Sequence, residues 1–316
     1  MADIRINEFT DPGCPWAWSA EPFRRRIDWL YGEGIEWRVH MVGLSETPQD
    51  YLEKGFTPER MASAFADIAS RHHMPIATHE RPRMAATLPA CRAVVAAREH
   101  HSEAAARRLL RTLRVAHFGG ALLDEPATLD GAAAAAGLEP EQLRGWAADP
   151  AVESALRDDM TAARRPIAAA RILESKLANW SGGLRYTCPS YEIVRLSDGV
   201  RIAIPGFQPF AVYDVVLANL LPDLVRRPDP SSVEEVLRWA EEPLGAYSGL
   251  ATQEVAVLLG LSLEGAREEL GRVAVESHTG FDGFWTLPRY SRLSTTGSSD
   301  RASGATASAP ASSSAR

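Results

Sequence analysis

The sequence predicts an α/β fold whose sheet is interrupted by a large helical insertion. Residues 4–10 alternate like a strand, residues 17–31 have helical spacing, and residues 34–44 again have the character of a strand. This order begins a βαβ unit with parallel strands. Strand patterns return only at residues 184–196, and the Ala-rich segment 57–170 between them has helical periodicity. That segment is too long for one crossover helix, so it predicts an inserted helical subdomain.

Prolines and turn residues divide the rest of the chain into elements. The insertion is predicted to contain helices at 58–72, 84–99, 101–117, 127–136, 140–147 and 150–176. Pro166 should kink or split the last of these, because proline lacks the N–H that a helix interior needs. A turn at 197–199 joins the strand pattern at 184–196 to a hairpin strand, and a helix should begin near Gln208 or Pro209.

Residues 229–289 form a separate block that begins within the linker-like stretch 227–232. Helical patterns at 232–242, 250–259 and 262–275 and a hairpin candidate with Trp285 together resemble a winged helix. Eleven acidic residues stand against three basic ones between Asp229 and Leu287. Since phosphate contacts supply much of the affinity of DNA-binding modules, this charge predicts no duplex binding. We expect a folded appendage that packs on the core or mediates self-association.

These patterns give the domain organisation of the chain. The predicted units are a first sheet half at 1–56, the helical insertion at 57–170, a second sheet half at 171–228, a small helical winged-helix-like domain at 229–289 and a tail at 290–316. The tail is mostly Ser, Ala, Thr, Gly and Arg. It has too few apolar residues to form a core, so we expect it to be disordered.

Composition argues against several classes of partner. The 316 residues carry a net charge of -7, with 45% hydrophobic and 24% charged residues, which favours a globular protein without a nucleic-acid or anionic-membrane partner. The start "MADIRINEFTD" does not resemble a signal peptide, and no run of about 18 apolar residues predicts a membrane span. Three cysteines cannot all pair within the chain, which favours a reducing, cytoplasmic location. The many Ala and Arg residues are typical of a GC-rich bacterial genome.

The segment "DPGCPWAWSA" places one cysteine, Cys14, between a turn and the start of a helix. Pro15 suits the first helical turn, where no N–H is needed. A thiol at a helix start faces unsatisfied backbone N–H groups, which lower its pKa and make it a better nucleophile. A cysteine three residues later would complete a redox dithiol, but that position is Ala17. A buried packing cysteine is the other interpretation of Cys14.

A second unusual proline lies in the segment "TCPSYEI". Pro189 interrupts a strand-like run, and proline is rare in strands outside edges and bends. A cis bond between Cys188 and Pro189 would suit both the turn and the strand that follows it.

Together these segments resemble the DsbA-like thiol–disulfide oxidoreductases, in particular their FrnE-type branch. The stretch "DPGCPWAWSA" is similar to the D-P-x-C-P-W-C stretch of that branch, except that Ala17 replaces the second cysteine. The matching positions are Asp11, Pro12, Cys14, Pro15 and Trp16. The segment "LLDEPATLDGAAAAAGLEPEQL" also resembles the branch, and the resemblance covers residues 4–225. It implies a thioredoxin-like fold with a helical insertion, in which a cis Pro189 faces Cys14.

The resemblance also brings Cys188 next to Cys14, and it leaves three functions open. The first is a thiol–disulfide oxidoreductase in which Cys14 attacks and Cys188 serves as its partner across space. The second is a monothiol transferase or isomerase that uses glutathione or mycothiol as a co-substrate. The third is a redox-inactive binding or scaffold protein. No resident cofactor is expected, the partners would be protein or small-molecule thiols and disulfides, and a homo-oligomer is left open.

The remaining candidates surround this thiol. Trp16 and Trp18 flank Cys14, where they suit either an apolar lip of a substrate groove or simple packing. His117 ends a predicted helix, so it either interacts with the helix dipole or approaches Cys14 as part of the groove. The eight histidines show no HExxH spacing and the cysteines no CxxC pair, so no metal site is predicted. Cys91 lies among apolar residues and is expected to be structural.

Overall fold

Among the residues that the structure describes, the main sheet has four strands, and Cys14 follows the first of them. The structure is a computed structural model, and it describes residues 2–222, 226–244 and 249–288. The strands are, in chain order, β1 (Ile4–Thr10), β2 (Ile35–Met41), β3 (Leu177–Trp180), β4 (Gly183–Tyr186), β5 (Ser190–Arg195), β6 (Arg201–Ile204), β7 (Leu250–Ala251), β8 (Val275–Thr279) and β9 (Asp282–Thr286). The main sheet has the order β2-β1-β5-β6, with β1 and β2 parallel and β5 antiparallel to both of its neighbours. The predicted βαβ start and the hairpin at 197–199 are therefore confirmed.

Helices form most of the chain between β2 and β3. The helices are α1 (Pro15–Ser19), α2 (Glu21–Tyr31), α3 (Pro48–Glu53), α4 (Pro58–His72), α5 (Leu88–His100), α6 (Glu103–Phe118), α7 (Pro126–Ala135), α8 (Pro140–Ala147), α9 (Pro150–Ala163), α10 (Ala168–Arg171), α11 (Phe210–Leu220), α12 (Val233–Leu244), α13 (Thr252–Leu259) and α14 (Leu263–Val273). Proline lies in the first turn of α4, α7, α8 and α9, where its missing N–H leaves no helical bond unmade. The predicted insertion is confirmed, and none of the helices in the described ranges is long and apolar enough to cross a membrane.

The helix predicted at 150–176 is split at Pro166, as expected, but most of its second half is not α-helical. α9 ends at Ala163, three residues before Pro166. Proline cannot supply the next helical N–H, and the chain continues instead as α10, a 3-10 turn at Glu174–Lys176 and the β3–β4 hairpin. Periodicity also gives no sign of α3, because that helix has only six residues. A capping box between Thr47 and Asp50 fixes its start.

The C-terminal block packs against the main sheet. It contains α12, α13, α14 and a second sheet with the strand order β7-β9-β8. Leu237, Val255 and Trp285 of this block belong to the same apolar core as Ile4 and Ile193 of the main sheet. Packing on the core is one of the two expected roles of the block. Its winged-helix character and the domain boundaries stay predictions, and the tail predicted at 290–316 lies outside the described residues.

A cluster of buried charges connects the C-terminal block to the helix that follows the site. It consists of Glu8 in β1, Glu21, Arg24 and Arg25 in α2, Arg111 and Arg114 in α6 and Glu254 in α13, each at most 3% exposed, and we call it the buried ion cluster. Arg111 donates to both carboxylate oxygens of Glu254, at 2.9 and 2.7 Å. Burial alone would raise the pKa of Glu21, but the four arginines hold it well below its usual value. These ion pairs fix α13 against α2 and α6.

Candidate active site

Cys14 lies where β1 turns into the helices α1 and α2. It occupies the N-cap position with an extended backbone (φ -84°, ψ 115°), and Pro15 is the first helical residue. The Cys14 N–H donates to the Asp11 carbonyl at 3.2 Å, and the Trp18 N–H donates to the Cys14 carbonyl at 3.0 Å. Only 6% of Cys14 is exposed. Turn, proline and helix therefore hold the thiol in a sheltered position at the end of the strand.

The Cys14 thiol has a pKa below its ordinary value. The largest cause is the neighbouring Cys188 side chain, which stabilises the thiolate. Burial and the negative charge of Asp11 act in the opposite direction, whereas the backbone N–H groups of Ala17 and Trp16 also lower the pKa. Because the thiolate is the nucleophilic form, this environment suits an attacking cysteine.

Cys188 faces Cys14 across the site. Its peptide bond to Pro189 is cis, as expected, and β5 begins at the next residue. The Cys14 Sγ–H donates to the Cys188 carbonyl oxygen at a distance of 3.2 Å. Burial raises the pKa of Cys188 well above its ordinary value, and the neighbouring Cys14 side chain and the charge of its thiolate act in the same direction. Both residues are free thiols, and Cys14 is the one that ionises first.

Asp11 holds the active-site turn to the surrounding elements, a role that the sequence analysis did not assign. Its buried carboxylate accepts hydrogen bonds from the Gly13 N–H at 2.8 Å, the Leu44 N–H at 2.9 Å and the Thr87 hydroxyl at 2.9 Å. The thiol of Cys91 donates to the same carboxylate at 3.4 Å. Burial raises the pKa of Asp11, and these donors oppose that effect. Cys91 is thus buried as expected, and it also contacts the carboxylate that shapes the turn.

The two tryptophans beside Cys14 lie in different environments. Trp18 is 0% exposed, donates its indole N–H to the Pro75 carbonyl at 3.0 Å and stacks on Phe118. The prediction that Trp18 lines a substrate groove is therefore wrong. Residues two apart on a helix differ by about 200° in direction, which turns Trp18 into the core of the insertion. Trp16 is only partly buried, against His72 and Phe207, so its place in a groove stays a prediction.

His117 lies near the active-site turn, but its described contacts do not include Cys14. Its ring accepts a hydrogen bond from the Arg81 guanidinium at 3.1 Å and lies 3.2 Å from the Ala121 carbonyl. Burial and the charge of Arg81 hold the pKa of His117 well below its usual value. His117 and Gly13 line the same cleft, and the place of His117 in a substrate groove stays a prediction.

The described ranges contain no group of three His, Cys, Asp or Glu side chains arranged to hold a metal ion. His40 has a different partner, since its Nδ1 lies 2.9 Å from a carboxylate oxygen of Asp159.

Comparisons with known proteins agree with this fold. The structure resembles a proposed protein disulfide isomerase from Nitrosomonas europaea, with a TM-score of 0.53 and 15% identity over 70% of this chain and 98% of that chain. It also resembles a probable DsbA oxidoreductase from Streptomyces coelicolor, with a TM-score of 0.50 and 18% identity over 73% of this chain and 94% of that chain. At these identities the two structures support the fold alone.

The sequence match to one curated relative extends beyond the strands of the main sheet into the C-terminal block. This relative is the ClpXP adapter protein SpxH from Shouchella clausii strain KSM-K16, which is 26% identical over 269 residues, 84% of this chain and 81% of that protein. A match of that length takes in part of the C-terminal block. The sequence model of the DSBA-like thioredoxin domain matches residues 5–166, just over half of the 316 residues, including Cys14 and most of the insertion. The chain therefore belongs to the DSBA-like thioredoxin domain family.

Proposed function

We propose that the protein catalyses thiol–disulfide exchange, with Cys14 as the attacking thiolate and Cys188 as its partner. The observation that carries this proposal is the contact between the two residues, with Cys14 Sγ 3.2 Å from the Cys188 carbonyl oxygen. The opposite directions of the two pKa shifts give each sulfur a distinct role. Exchange needs a second sulfur that reaches the mixed disulfide, and Cys188 supplies it where Ala17 does not.

The reaction in the reducing direction has two steps. The Cys14 thiolate attacks a substrate disulfide, forms a mixed disulfide with one substrate sulfur and releases the other as a thiolate. The Cys188 thiol then loses its proton to solvent and attacks the Cys14 sulfur, which releases the second substrate thiolate and leaves a Cys14–Cys188 disulfide. The substrate gains two electrons and the protein loses two. Two molecules of a low-molecular-weight thiol, such as glutathione or mycothiol, return the pair to the dithiol form in a reducing cytoplasm.

Mass spectrometry of the oxidised protein tests this assignment. After oxidation with diamide, we expect a peptide crosslink between Cys14 and Cys188, and Cys91→Ser should leave it in place. Cys14→Ser should abolish reduction of a small disulfide. Cys188→Ala should still form the mixed disulfide at Cys14 and release it slowly. A glutathione adduct on Cys14 with no crosslink would instead support the monothiol transferase or isomerase.

A binding protein without redox activity is the second candidate function, and one observation favours it. The match to the ClpXP adapter SpxH includes part of the C-terminal block as well as the thioredoxin-like fold. An adapter needs surfaces that hold a client, and it does not need a working dithiol. In this alternative, Cys14 and Cys188 are structural or regulatory thiols.

Degradation assays distinguish the two candidates. Clients would be identified by crosslinking to the purified full chain and then incubated with purified ClpXP. An adapter should accelerate their degradation, and the double variant Cys14→Ser/Cys188→Ser should keep that effect. If the client is degraded at the same rate with and without the chain, the adapter function is ruled out for that client.

A further inference from the structure

Positive charges are concentrated in the segment that leads to Cys188. Arg164, Arg165, Arg171, Lys176 and Arg185 lie within 22 residues of the chain, and the single acidic residue among them is Glu174. The protein as a whole has a net charge of -7. The exposed apolar residues Ile172, Leu173 and Trp180 lie in the same segment, and we call these eight residues the basic ledge.

The cations of the ledge have no carboxylate partner within ion-pair distance among the residues that the structure describes. Arg164, Arg171 and Arg185 donate instead to backbone carbonyls within five residues of each, at 2.7 to 3.1 Å. Glu46 acts on Arg164 only at longer range. By contrast, arginines such as Arg98 bind a carboxylate directly. The ledge therefore presents charges that no part of the described chain neutralises.

Three apolar side chains of the ledge are exposed to solvent instead of being packed in a core. Ile172 is 83% exposed, Leu173 46% and Trp180 38%. The Arg164 guanidinium lies 5.2 Å from the centre of the Trp180 ring, so cationic and aromatic groups share one surface. A surface that combines unpaired cations with exposed apolar groups suits a partner that is acidic and partly apolar.

The ledge adjoins the two reactive thiols. Ala163, Ile167, Ala170, Leu177 and Tyr186, which underlie it, pack in the same apolar cluster as Cys14 and Cys188. The Thr187 hydroxyl donates to the Lys176 carbonyl at 2.7 Å, which joins the ledge to the residue that precedes Cys188. A polypeptide on the ledge would therefore extend toward the active site.

We propose that the basic ledge binds an acidic, partly apolar segment of a polypeptide substrate whose cysteine or disulfide reacts at Cys14. This rests on the proposed exchange reaction, because only a partner with a thiol or disulfide can react with the adjacent thiols. Residues 289–316 of the chain carry four arginines and one aspartate, so their net charge has the same sign as that of the ledge and makes them an unsuitable occupant. A second copy could offer its acidic C-terminal block, and nucleic acid could offer phosphates. The first outcome would appear as self-association and the second as oligonucleotide binding.

A binding measurement tests the ledge without any disulfide chemistry. The full chain with Cys14→Ser is titrated into three fluorescent cysteine-free peptides that share Trp and Leu positions and have Glu, Gln or Lys elsewhere. We expect the Glu peptide to bind at least about tenfold more tightly than the Lys peptide at low salt, and the preference to shrink as salt is added. In the Arg171→Glu/Lys176→Glu variant, whose changes flank Ile172 and Leu173, the preference should disappear or reverse.

A matched variant separates the ledge from general charge effects. Arg38 and Arg238 are exposed cations outside the ledge, and Arg38→Glu/Arg238→Glu makes the same change in net charge. This control should keep the preference for the Glu peptide. Equal binding of the three peptides, an equal loss in both double variants, tighter binding of a short oligonucleotide, or competition by self-association would each overturn the proposal.

Exchange kinetics then connect the ledge to the proposed function. The intact protein is mixed with the same peptides, each now containing one cysteine as a mixed disulfide with a small aromatic thiol. We expect the Glu peptide to react faster than the Lys peptide, by a ratio that falls in Arg171→Glu/Lys176→Glu. If a small neutral disulfide also fails to react, the exchange function fails while the binding test of the ledge stands. If the small disulfide reacts and peptide charge has no effect, the ledge fails alone.

Discussion

The arginines of the buried ion cluster and those of the basic ledge have different partners. In the buried ion cluster, Arg25 and Arg111 bind Glu21 and Glu254 with almost no exposure to solvent. In the basic ledge, Arg171 is exposed and has no carboxylate partner among the described residues. Desolvated charges must be paired to be tolerated, whereas exposed ones need no partner within the fold. The first group therefore has to stay paired for the fold to remain stable, and the second is available for contacts with other molecules.

The largest expected loss of stability is that caused by the substitution Glu254→Gln. The Glu254 carboxylate binds Arg111 through two hydrogen bonds and accepts the Ala251 N–H at 2.8 Å. Its loss removes the closest carboxylate from the buried Arg111 guanidinium and leaves Glu21, at 3.6 Å, as its carboxylate partner, which costs about 3–5 kcal/mol of unfolding free energy. Urea unfolding of the full chain would measure it.

Glu268→Gln is the matched control, because Glu268 pairs with Arg272 in α14 and both side chains are more than half exposed. We expect it to change stability by about 0.5 kcal/mol or less. Equal effects of the two substitutions would show that the buried ion cluster does not stabilise the fold.

The long-range pairs in this cluster could not be predicted from the sequence. Local signals were sufficient for β1, for helices that begin with proline and for Cys14, because turn chemistry and periodicity act over a few residues. Arg111 and Glu254 are 143 residues apart, so nothing local connects them. The direction of Trp18 also depends on tertiary packing, since Trp16 and Trp18 follow the same cysteine and only one is fully buried. The partners of Asp11 were missed because Leu44 and Thr87 belong to distant segments.

A smaller loss of stability is expected when the pH is lowered. The pKa of Glu21 is held below its usual value by the arginines around it, so the folded state binds fewer protons than the unfolded state near and below the ordinary pKa of about 4.5. Stability should therefore be complete above that pH and should fall as the pH decreases, by up to about 1.4 kcal/mol per pH unit for this one group. Urea unfolding between neutral pH and acid would show the decline.

Glu21→Gln removes the titrating group and provides the comparison. The variant should be less stable at neutral pH, because Arg25 and Arg114 lose a partner. Its stability should also depend less on pH in the acid range. An identical pH dependence in the two proteins would assign the acid sensitivity to other carboxylates.

The smallest expected effect concerns Arg185, which connects the ledge to the thiols. Its positive charge lowers the pKa of Cys188, although burial and the contact with Cys14 dominate and raise it. Arg185→Gln should therefore move the ionisation of Cys188 to higher pH. The Cys14→Ser/Cys91→Ser background leaves Cys188 as the single cysteine of the chain, so its rate of alkylation by iodoacetamide can be followed against pH.

Arg171→Gln removes an equal charge from the exposed part of the ledge and serves as the control. Solvent and salt screen a charge at that position, so its alkylation profile should match that of the background protein. With the native cysteines restored, Arg185→Gln should also lengthen the life of the mixed disulfide at Cys14, because less Cys188 thiolate is present to resolve it. Equal shifts of the alkylation profile in the two variants would mean that all charges of the ledge affect Cys188 through long-range electrostatics. If neither variant shifts the pH profile of Cys188 alkylation, the ledge does not influence the reactivity of Cys188, and substrate binding is its only proposed role.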